Sequence, residues 1–457
     1  MAAPVILWFR QDMRLSDQRA LAAATAEGPV VPLYVLDDDG AGRWAIGSAQ
    51  RWWLHHSLTA LGEALAAKGA RLILRRGDAV DEVARLAREV GAERVHAIRH
   101  HEPWWQQAES ELGRQVDLVL HDGATLAPPD HVRTGGGGRY RIFTPFWRAL
   151  KEQMPPELPV RAPASIEGVG EHIQSDRLAD WDLLPTRPDW AAGFADHWRP
   201  GEEGAKAALR RFLPHVVDYD EARNLPSITG SSRLSPHLHF GEISPATVWH
   251  HVAKQAGAKA EPFLREVGWR DFTANIVDLL PSYGRRNGRE AWDGFPWRQS
   301  EADFTAWTKG RTGYPIVDAG MRELWAMGWM HNRVRMIVAS FLTKHLLIDW
   351  RRGERWFWDT LVDADYGNNA VNWQWVAGTG IDSNPFGRIM APLSQSAKFD
   401  AAGYIRRWVP EPADLPEPAI HDPHEAGCAP ASYPLKLIGH REGRERALAA
   451  AKGHGRQ

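Results

Sequence analysis

Two tryptophans separated by one residue stand in the stretch DADYGNNAVNWQW, which covers residues 363–375. On an α-helix, side chains two residues apart point roughly 200° away from each other. Trp373 and Trp375 would then face nearly opposite sides, so we expect the two indoles to do different work. Trp is also unusually frequent, with 23 Trp against 8 Tyr, although a buried indole needs a partner for its N–H.

Two other groups of residues are suited to phosphates. The segment 219–245 is rich in hydroxyls, and Ser231, Ser232 and Ser235 could hold an anionic group at a helix start. Ordinary turn and capping chemistry accounts for the same residues. Arginine clusters among aromatic residues are typical of a phosphate-contacting surface. These clusters lie at 283–289, 331–335 and 349–355.

The short stretch EVGW places an acid close to an indole. Glu266 and Trp269 are three residues apart, so on a helix they share one face. They could form a plain packing or capping pair. They could equally be a hydrogen-bonding group beside a stacking platform.

Metal-binding patterns are incomplete in this chain. Residues from Asp363 onward begin like a calcium loop, but the sixth position is Asn368 instead of Gly and the twelfth is Gln374 instead of Glu. The histidine pairs lack the H-E-x-x-H spacing and have no cysteine partner. We therefore predict that the protein binds no metal.

Composition limits the class of protein and its partners. The apolar content of 44% and charged content of 25% are those of a globular protein. The net charge is −2, so any contact with nucleic acid must come from a local basic patch. Cys428 is the single cysteine, which excludes an internal disulfide and fits a reducing compartment. The start of the chain lacks the features of a signal peptide, and no apolar run approaches membrane-spanning length. We expect a cytoplasmic protein.

The elements that position these residues follow from apolar periodicity. Short apolar runs alternate with amphipathic stretches at the start of the chain, which predicts βαβ units and a parallel sheet, without the G-x-G-x-x-G fingerprint. A Pro-rich connector follows, and helical patterns then continue to the end. The predicted fold is a doubly wound, Rossmann-like α/β domain joined by a long loop to an all-α domain. The predicted bounds are 1–127 for the α/β domain, 128–200 for the loop and 201–457 for the helical domain.

Several motifs together resemble the photolyase/cryptochrome family. They include WFRQDMRLSD, GSSRLSPHLHFGEIS, EVGWRDF, the long stretch from TGYPIVDAGMRELW to MIVASFL, LLIDWRRGERWF and DADYGNNAVNWQW. The resemblance runs over nearly the whole chain and is most specific in the C-terminal half. It implies a helical domain that binds FAD in a U-shape, and it implies that the protein is a monomer acting on damaged DNA without sequence specificity.

By matching motif, the resemblance also implies the residues that contact FAD. Asn369 falls at the position that faces the flavin N5, where photolyases carry Asn, plant cryptochromes tend to Asp and animal cryptochromes to Cys. The implied FAD contacts are Tyr219, Ser231, Ser232, Arg233, Leu234, Ser235, Arg270, Asn332, Arg335, Asp363, Asp365 and Asn369.

The implied activity is light-driven repair of cyclobutane pyrimidine dimers by a deoxyribodipyrimidine photo-lyase, through electron transfer from excited reduced FAD. Glu266 would hydrogen-bond the lesion where negative charge develops, and the flipped bases would stack on Trp269 and Trp375. An electron chain would run from Trp373 through Trp350 to Trp297. The implied lesion-binding set is Glu266, Trp269, Asn332, Arg333, Met336 and Trp375.

The pattern departs from the family at the antenna site. Where one branch has Asn-Glu after Glu102, this chain has Trp104 and Trp105. That puts folate bound in that manner in doubt, and leaves open a deazaflavin, a flavin, folate in another pose or no antenna.

Two alternative functions are considered. The first is a cryptochrome that signals without repair, which Asn369, the dimer-binding set and the lack of a long C-terminal extension oppose. The second is a light-independent flavin oxidoreductase.

Overall fold

Five short apolar runs form one parallel sheet in the computed structural model, which describes residues 3–169, 172–383 and 386–454. The strands are β1 (Val5–Phe9), β2 (Val30–Leu36), β3 (Ile73–Arg76), β4 (Arg94–Ile98) and β5 (Asp117–His121). Their order is β3-β2-β1-β4-β5, with every neighbouring pair parallel. All residues of β1 and β2 are buried, as expected for a sheet that is covered on both faces.

Helices connect successive strands, and their ends follow local sequence. They are α1 (Arg19–Glu27), α2 (Ser48–Ala66), α3 (Ala79–Val90) and α4 (Pro103–Leu112). In α3, the Asp78 side chain accepts a hydrogen bond from the Asp81 N–H at the first turn, and Gly91 ends the helix with a φ of 68°. The apolar face of α3 then packs into a core that includes β1 and β2 residues.

The rest of the described chain contains α-helices joined by irregular segments and short 3-10 turns. Its α-helices are α5 (Phe143–Glu152), α6 (Glu202–Phe212), α7 (Tyr219–Ala222), α8 (Ser235–His239), α9 (Pro245–Ala256), α10 (Glu261–Leu279), α11 (Glu301–Thr308), α12 (Pro315–Met327), α13 (Asn332–Ser340), α14 (Trp350–Thr360), α15 (Tyr366–Ala377), α16 (Pro392–Lys398), α17 (Ala402–Trp408) and α18 (His440–His454).

The chain divides into two compact units. The first comprises Met1–Val217, Ser232–Pro281 and Val362–Gly367, and it contains the sheet. The second comprises Asp218–Ser231, Ser282–Leu361 and Asn368–Gln457. The predicted combination of a parallel-sheet α/β domain with a helical C-terminal domain is confirmed, whereas the exact domain bounds stay a prediction.

Two glycines permit close helix packing within these units. In the first unit, a Cβ on Gly268 of α10 would lie 2.5 Å from ring carbons of Trp147 on α5. In the second unit, a Cβ on Gly353 of α14 would lie 2.2 Å from Cη2 of Trp373 on α15. Both distances are shorter than van der Waals contact, so only glycine fits.

None of the helices in the described part of the chain combines the length and the apolar character needed to cross a membrane.

Candidate functional site

Helix α10 carries Glu266, Trp269 and Arg270 in the first unit. Trp269 is half-buried, and its indole stacks on the ring of Phe143 with centroids 3.7 Å apart and planes 9° apart. Phe272 meets the same indole edge-on at 5.4 Å. The indole is therefore fixed by neighbouring rings yet keeps accessible surface, which suits a platform for a stacked base.

A cavity of about 50 Å³ in the first unit brings Arg270 and Asp365 together. Glu102 and His239 also line this cavity. Arg270 donates through Nη2 to the Leu238 carbonyl at 3.2 Å, but its Nη1 has no hydrogen-bond partner among the described residues. His239 Nδ1 lies 3.9 Å from Asp365 Oδ2. The cavity has room for a few waters or a polar substituent of a ligand, and it offers both positive and negative partners.

Glu102 is an acid of this cavity whose pKa is strongly raised. Its side chain is 14% exposed, and burial followed by the negative charge of Asp365 raises its pKa to about 7. Desolvation disfavours the charged carboxylate, and a like charge nearby adds to that effect. The Glu102 carboxyl therefore changes its protonation state near neutral pH.

The two tryptophans that depart from the family's folate pattern are packed against aromatic rings. Trp104 meets Tyr366 edge-on at 5.2 Å, and Trp105 meets Trp8 edge-on at 5.9 Å. Large indoles thus stand where that pattern has Asn and Glu. The identity of an antenna chromophore stays open.

The hydroxyl-rich segment before α8 forms a turn of unusual conformation. Arg233 has a φ of 53°, in the left-handed region that few non-glycine residues adopt. Ser232 Oγ accepts a hydrogen bond from the Leu234 N–H at 3.3 Å. Leu234 is fully buried, whereas Ser235 is exposed. The buried leucine anchors a turn whose hydroxyls stay accessible, as the predicted phosphate contacts require.

Helix α13 carries half of the predicted cofactor and lesion contacts of the second unit. Arg333 Nη1 lies 3.9 Å from Met336 Sδ, so two predicted lesion-binding side chains are neighbours. Arg335 donates through Nε to the Met330 carbonyl at 2.8 Å. Asn332 is exposed at the start of the helix. The predicted cofactor and lesion contacts in this unit, apart from those on α15, are Tyr219, Ser231, Asn332, Arg333, Arg335 and Met336.

Asn369 is held in one orientation within α15. It is buried, and its Nδ2 donates both to the Glu354 carbonyl and to Glu354 Oε1, each at 3.0 Å. Two acceptors on the amide nitrogen fix which end of the amide carries the oxygen. Sequence reasoning missed Glu354, because its 15-residue separation from Asn369 gives no local pattern.

The two indoles of α15 differ in environment, as their helical spacing leads us to expect. Trp373 is buried and meets Phe357 edge-on at 5.0 Å. Trp375 is half-buried, with the Arg388 guanidinium 5.6 Å from its ring. Gln374 between them is fully buried and donates to the Tyr283 carbonyl at 2.5 Å, which fixes this part of the helix.

The other two predicted electron carriers, Trp350 and Trp297, also belong to the second unit. Trp350 is fully buried and donates through Nε1 to Asn287 Oδ1 at 3.0 Å. It is three residues before Gly353, the residue against which the Trp373 ring packs, and so lies on the same face of α14. Trp297 is half-buried beside Phe295, with ring centroids 4.6 Å apart. A buried, buried and half-exposed series is what a chain from the interior to solvent requires.

These residues fit FAD. The orphaned Arg270 Nη1 and the neighbouring Asp365 offer partners to its polar groups, and the hydroxyls near Arg233 suit its phosphates. A parallel-sheet unit and a helical unit that carry these residues suit a two-domain protein that holds such a cofactor.

Comparison with known proteins gives the family. Residues 5–164 match the DNA photolyase family model, and residues 263–453 match the FAD binding domain of DNA photolyase. The deoxyribodipyrimidine photo-lyase of Agrobacterium fabrum is 46% identical, covering 98% of this chain and 97% of its own. The chain therefore belongs to the DNA photolyase family, and its helical domain is an FAD-binding domain. Cryptochromes are also among the relatives.

Solved structures agree with this assignment. The structure of a bacterial class III photolyase from Agrobacterium tumefaciens has a TM-score of 0.95 at 46% identity, covering 100% of this chain and 98% of that one. An archaeal photolyase from Sulfolobus tokodaii, solved with two FAD molecules, has a TM-score of 0.85 at 29% identity, covering 98% of this chain and 100% of that one. Its second FAD is described as a novel light-harvesting cofactor.

Proposed function

We propose that this protein repairs cyclobutane pyrimidine dimers in DNA under blue light. The observation that carries the proposal is the contrast among its tryptophans. Trp373 and Trp350 are buried, whereas Trp269 and Trp375 are half-exposed and lie on the predicted lesion-binding elements. An accessible indole can stack on a flipped base of a dimer, and a buried indole can carry charge.

The chain's own residues would bind and orient the lesion. When bound, FAD in its reduced form would supply an electron under blue light and would regain it once the two C–C bonds that link the pyrimidines are broken, so the reaction would have no net redox change. Glu266 would donate a hydrogen bond to the pyrimidine carbonyl that gains negative charge. Asn369, fixed by Glu354, would orient its amide toward the cofactor.

The test is loss of dimers from irradiated single-stranded DNA, measured with and without blue light. We expect dimers to disappear only in the light. Light-dependent flavin reduction without dimer loss would favour a cryptochrome, and flavin turnover with NAD(P)H in the dark would favour an oxidoreductase.

The role of Glu266 has its own prediction. Glu266→Ala should bind FAD and dimer-containing DNA nearly normally but should repair fewer dimers per absorbed photon, because it removes a donor that acts on the developing charge. The measurement is the quantum yield at saturating DNA. Glu63→Ala, an exposed acid on α2, is the control, and an unchanged yield in Glu266→Ala would contradict the role.

The proposal also includes a monomeric protein in the cytoplasm that binds damaged DNA without sequence preference. Light scattering of the purified protein, and affinity for dimers in several sequence contexts, test these points.

A further inference from the structure

We propose that Phe143 is a positioning residue for Trp269, and that its stacked ring sets the plane on which the lesion docks. This inference rests on the proposed function, since it assigns Phe143 a role in lesion binding. The two rings are 3.7 Å apart at an interplanar angle of 9°, which is full face-to-face overlap. Phe143 is only 3% exposed, so it does not take a base itself.

The geometry fixes Trp269 from two directions. Phe143 covers one face of the indole, and Phe272 meets it at an angle of 85° with centroids 5.4 Å apart. Phe143 and Phe272 also meet each other edge-on at 5.6 Å. An indole held between one parallel and one perpendicular ring has little freedom to rotate, so its accessible surface is presented in a single orientation.

The ring of Phe143 is itself held by the packing of α5 on α10. Trp147, one turn along α5, lies parallel to Phe143 at 6.4 Å, and its Nε1 donates to Glu261 Oε1 at 3.0 Å. Gly268 allows the Trp147 ring to pack against α10, because any Cβ at this position would overlap the ring. Helix α5 thus restricts the movement of α10, the helix that carries Trp269.

Preorganisation is the expected benefit. A free indole would lose rotational freedom when a base stacks on it, and that loss would weaken binding. When Phe143 is present, the indole of Trp269 loses this rotational freedom during folding and not when the base binds. Replacement by leucine keeps an apolar side chain but removes the planar contact, so the indole would have to be ordered when the base binds. The cost of ordering one side chain corresponds to an about two- to twelvefold loss of affinity.

The experiment compares affinities for dimer-containing and undamaged single-stranded DNA among four FAD-loaded variants. Phe143→Leu should lower dimer affinity about two- to twelvefold with unchanged repair per bound dimer, and Phe143→Tyr should restore it. Phe9→Leu, which makes the same change to a buried phenyl of β1, should leave the affinity ratio unchanged. Trp269→Ala should lose more affinity than Phe143→Leu. If Phe143→Leu does not retain FAD, Phe143→Met takes its place, since methionine fills irregular gaps.

The outcomes separate the two proposals. Wild-type affinity in Phe143→Leu together with weak binding in Trp269→Ala would overturn the role of Phe143 alone. Equal losses in Phe143→Leu and Phe9→Leu would also overturn it, because both would then reflect general packing. Normal dimer affinity in Trp269→Ala would overturn the lesion-binding assignment on which the inference rests.

Discussion

At the scale of single residues, Trp297 offers a sharp test of the electron chain. Trp297→Phe should fold and bind FAD but should fail to accumulate reduced flavin under blue light with an external reductant, because phenylalanine is much harder to oxidise than tryptophan. Repair should persist once the flavin is reduced chemically. The measurement is the flavin absorption spectrum during illumination.

A matched control for that variant lies in the same aromatic cluster. Trp292 is also half-buried and stacks on Phe386, which Trp297 contacts as well. Trp292→Phe should photoreduce like the wild type. Normal photoreduction in Trp297→Phe would mean that another residue carries the electron.

Glu102 gives a pH prediction with a definite sign. The folded protein holds its proton up to about pH 7, against an ordinary pKa of 4.5. Below pH 4.5, Glu102 is protonated in both the folded and the unfolded chain and does not lower the free energy of unfolding. As the pH rises from 4.5 to 7, the unfolded chain loses this proton first, so the free energy of unfolding falls. Glu102→Gln should remove that fall, so that above pH 7 its free energy of unfolding exceeds the wild-type value by up to about 3 kcal/mol.

Urea denaturation between about pH 4 and pH 8 measures the effect, since this range spans both the ordinary and the raised pKa. The exposed Glu93 supplies the control variant Glu93→Gln, which should follow the wild type at every pH. Parallel curves for wild type and Glu102→Gln would show that Glu102 ionises normally.

At the scale of single residues, the sequence predicted the surroundings of side chains that are close together along the chain, but not the contacts between residues far apart. The different surroundings of Trp373 and Trp375 follow from helix geometry alone. The partners Glu354 and Phe143 could not be foreseen, because Phe143 is 126 residues from Trp269 along the chain. Such pairings depend on tertiary packing, which periodicity does not encode.

At the scale of elements, Gly353 shows how α14 and α15 pack. Gly353→Ala should destabilise the protein by about 1–3 kcal/mol, because its methyl group would overlap the Trp373 ring. Gly62, within α2, has no atom within 4 Å of an added Cβ. Gly62→Ala should instead stabilise by about 0.5–1 kcal/mol, the helix preference of alanine over glycine. Thermal denaturation of both variants measures the difference, and equal shifts would contradict the packing argument.

The strands were predictable from the sequence, since the apolar runs at 5–9, 30–36, 71–75, 94–99 and 116–121 coincide with the observed strands to within two residues. Few arrangements other than a parallel sheet bury short apolar runs that alternate with amphipathic helices. Helix α5 was not singled out within the predicted connector, although Phe143, Phe146, Trp147 and Leu150 have helical spacing and are all buried. Proline-rich neighbours on the C-terminal side obscured that signal.

At the scale of the whole molecule, DNA affinity should depend strongly on salt. The net charge is −2, so binding must rely on local arginines such as the exposed Arg285 and Arg286. The log–log slope of affinity against salt should be about −0.7 to −0.9 per phosphate contact. Replacing both arginines by serine should make the slope shallower by about one for each phosphate that is no longer neutralised.

Fluorescence anisotropy of labelled DNA between about 50 and 200 mM salt measures that slope. Arg88→Ser removes an exposed charge from α3, outside the predicted clusters, and should leave the slope unchanged. A slope insensitive to the replacement of Arg285 and Arg286 would place the DNA on another surface.

The first unit is built from three separate segments of the chain, and this has a consequence for synthesis on the ribosome. Tyr366, near the end of its last segment, packs against both Trp44 and Trp104 at centroid distances of 5.1 and 5.2 Å, and its hydroxyl donates to the Pro281 carbonyl. The nascent chain therefore cannot complete this unit when Val217 emerges. At translation rates of about 5–20 residues per second, roughly 8–30 s pass between the synthesis of Val217 and that of Tyr366. During that interval the two indoles are available to chaperones, and a ribosome stalled before residue 366 would release a chain with both indoles uncovered.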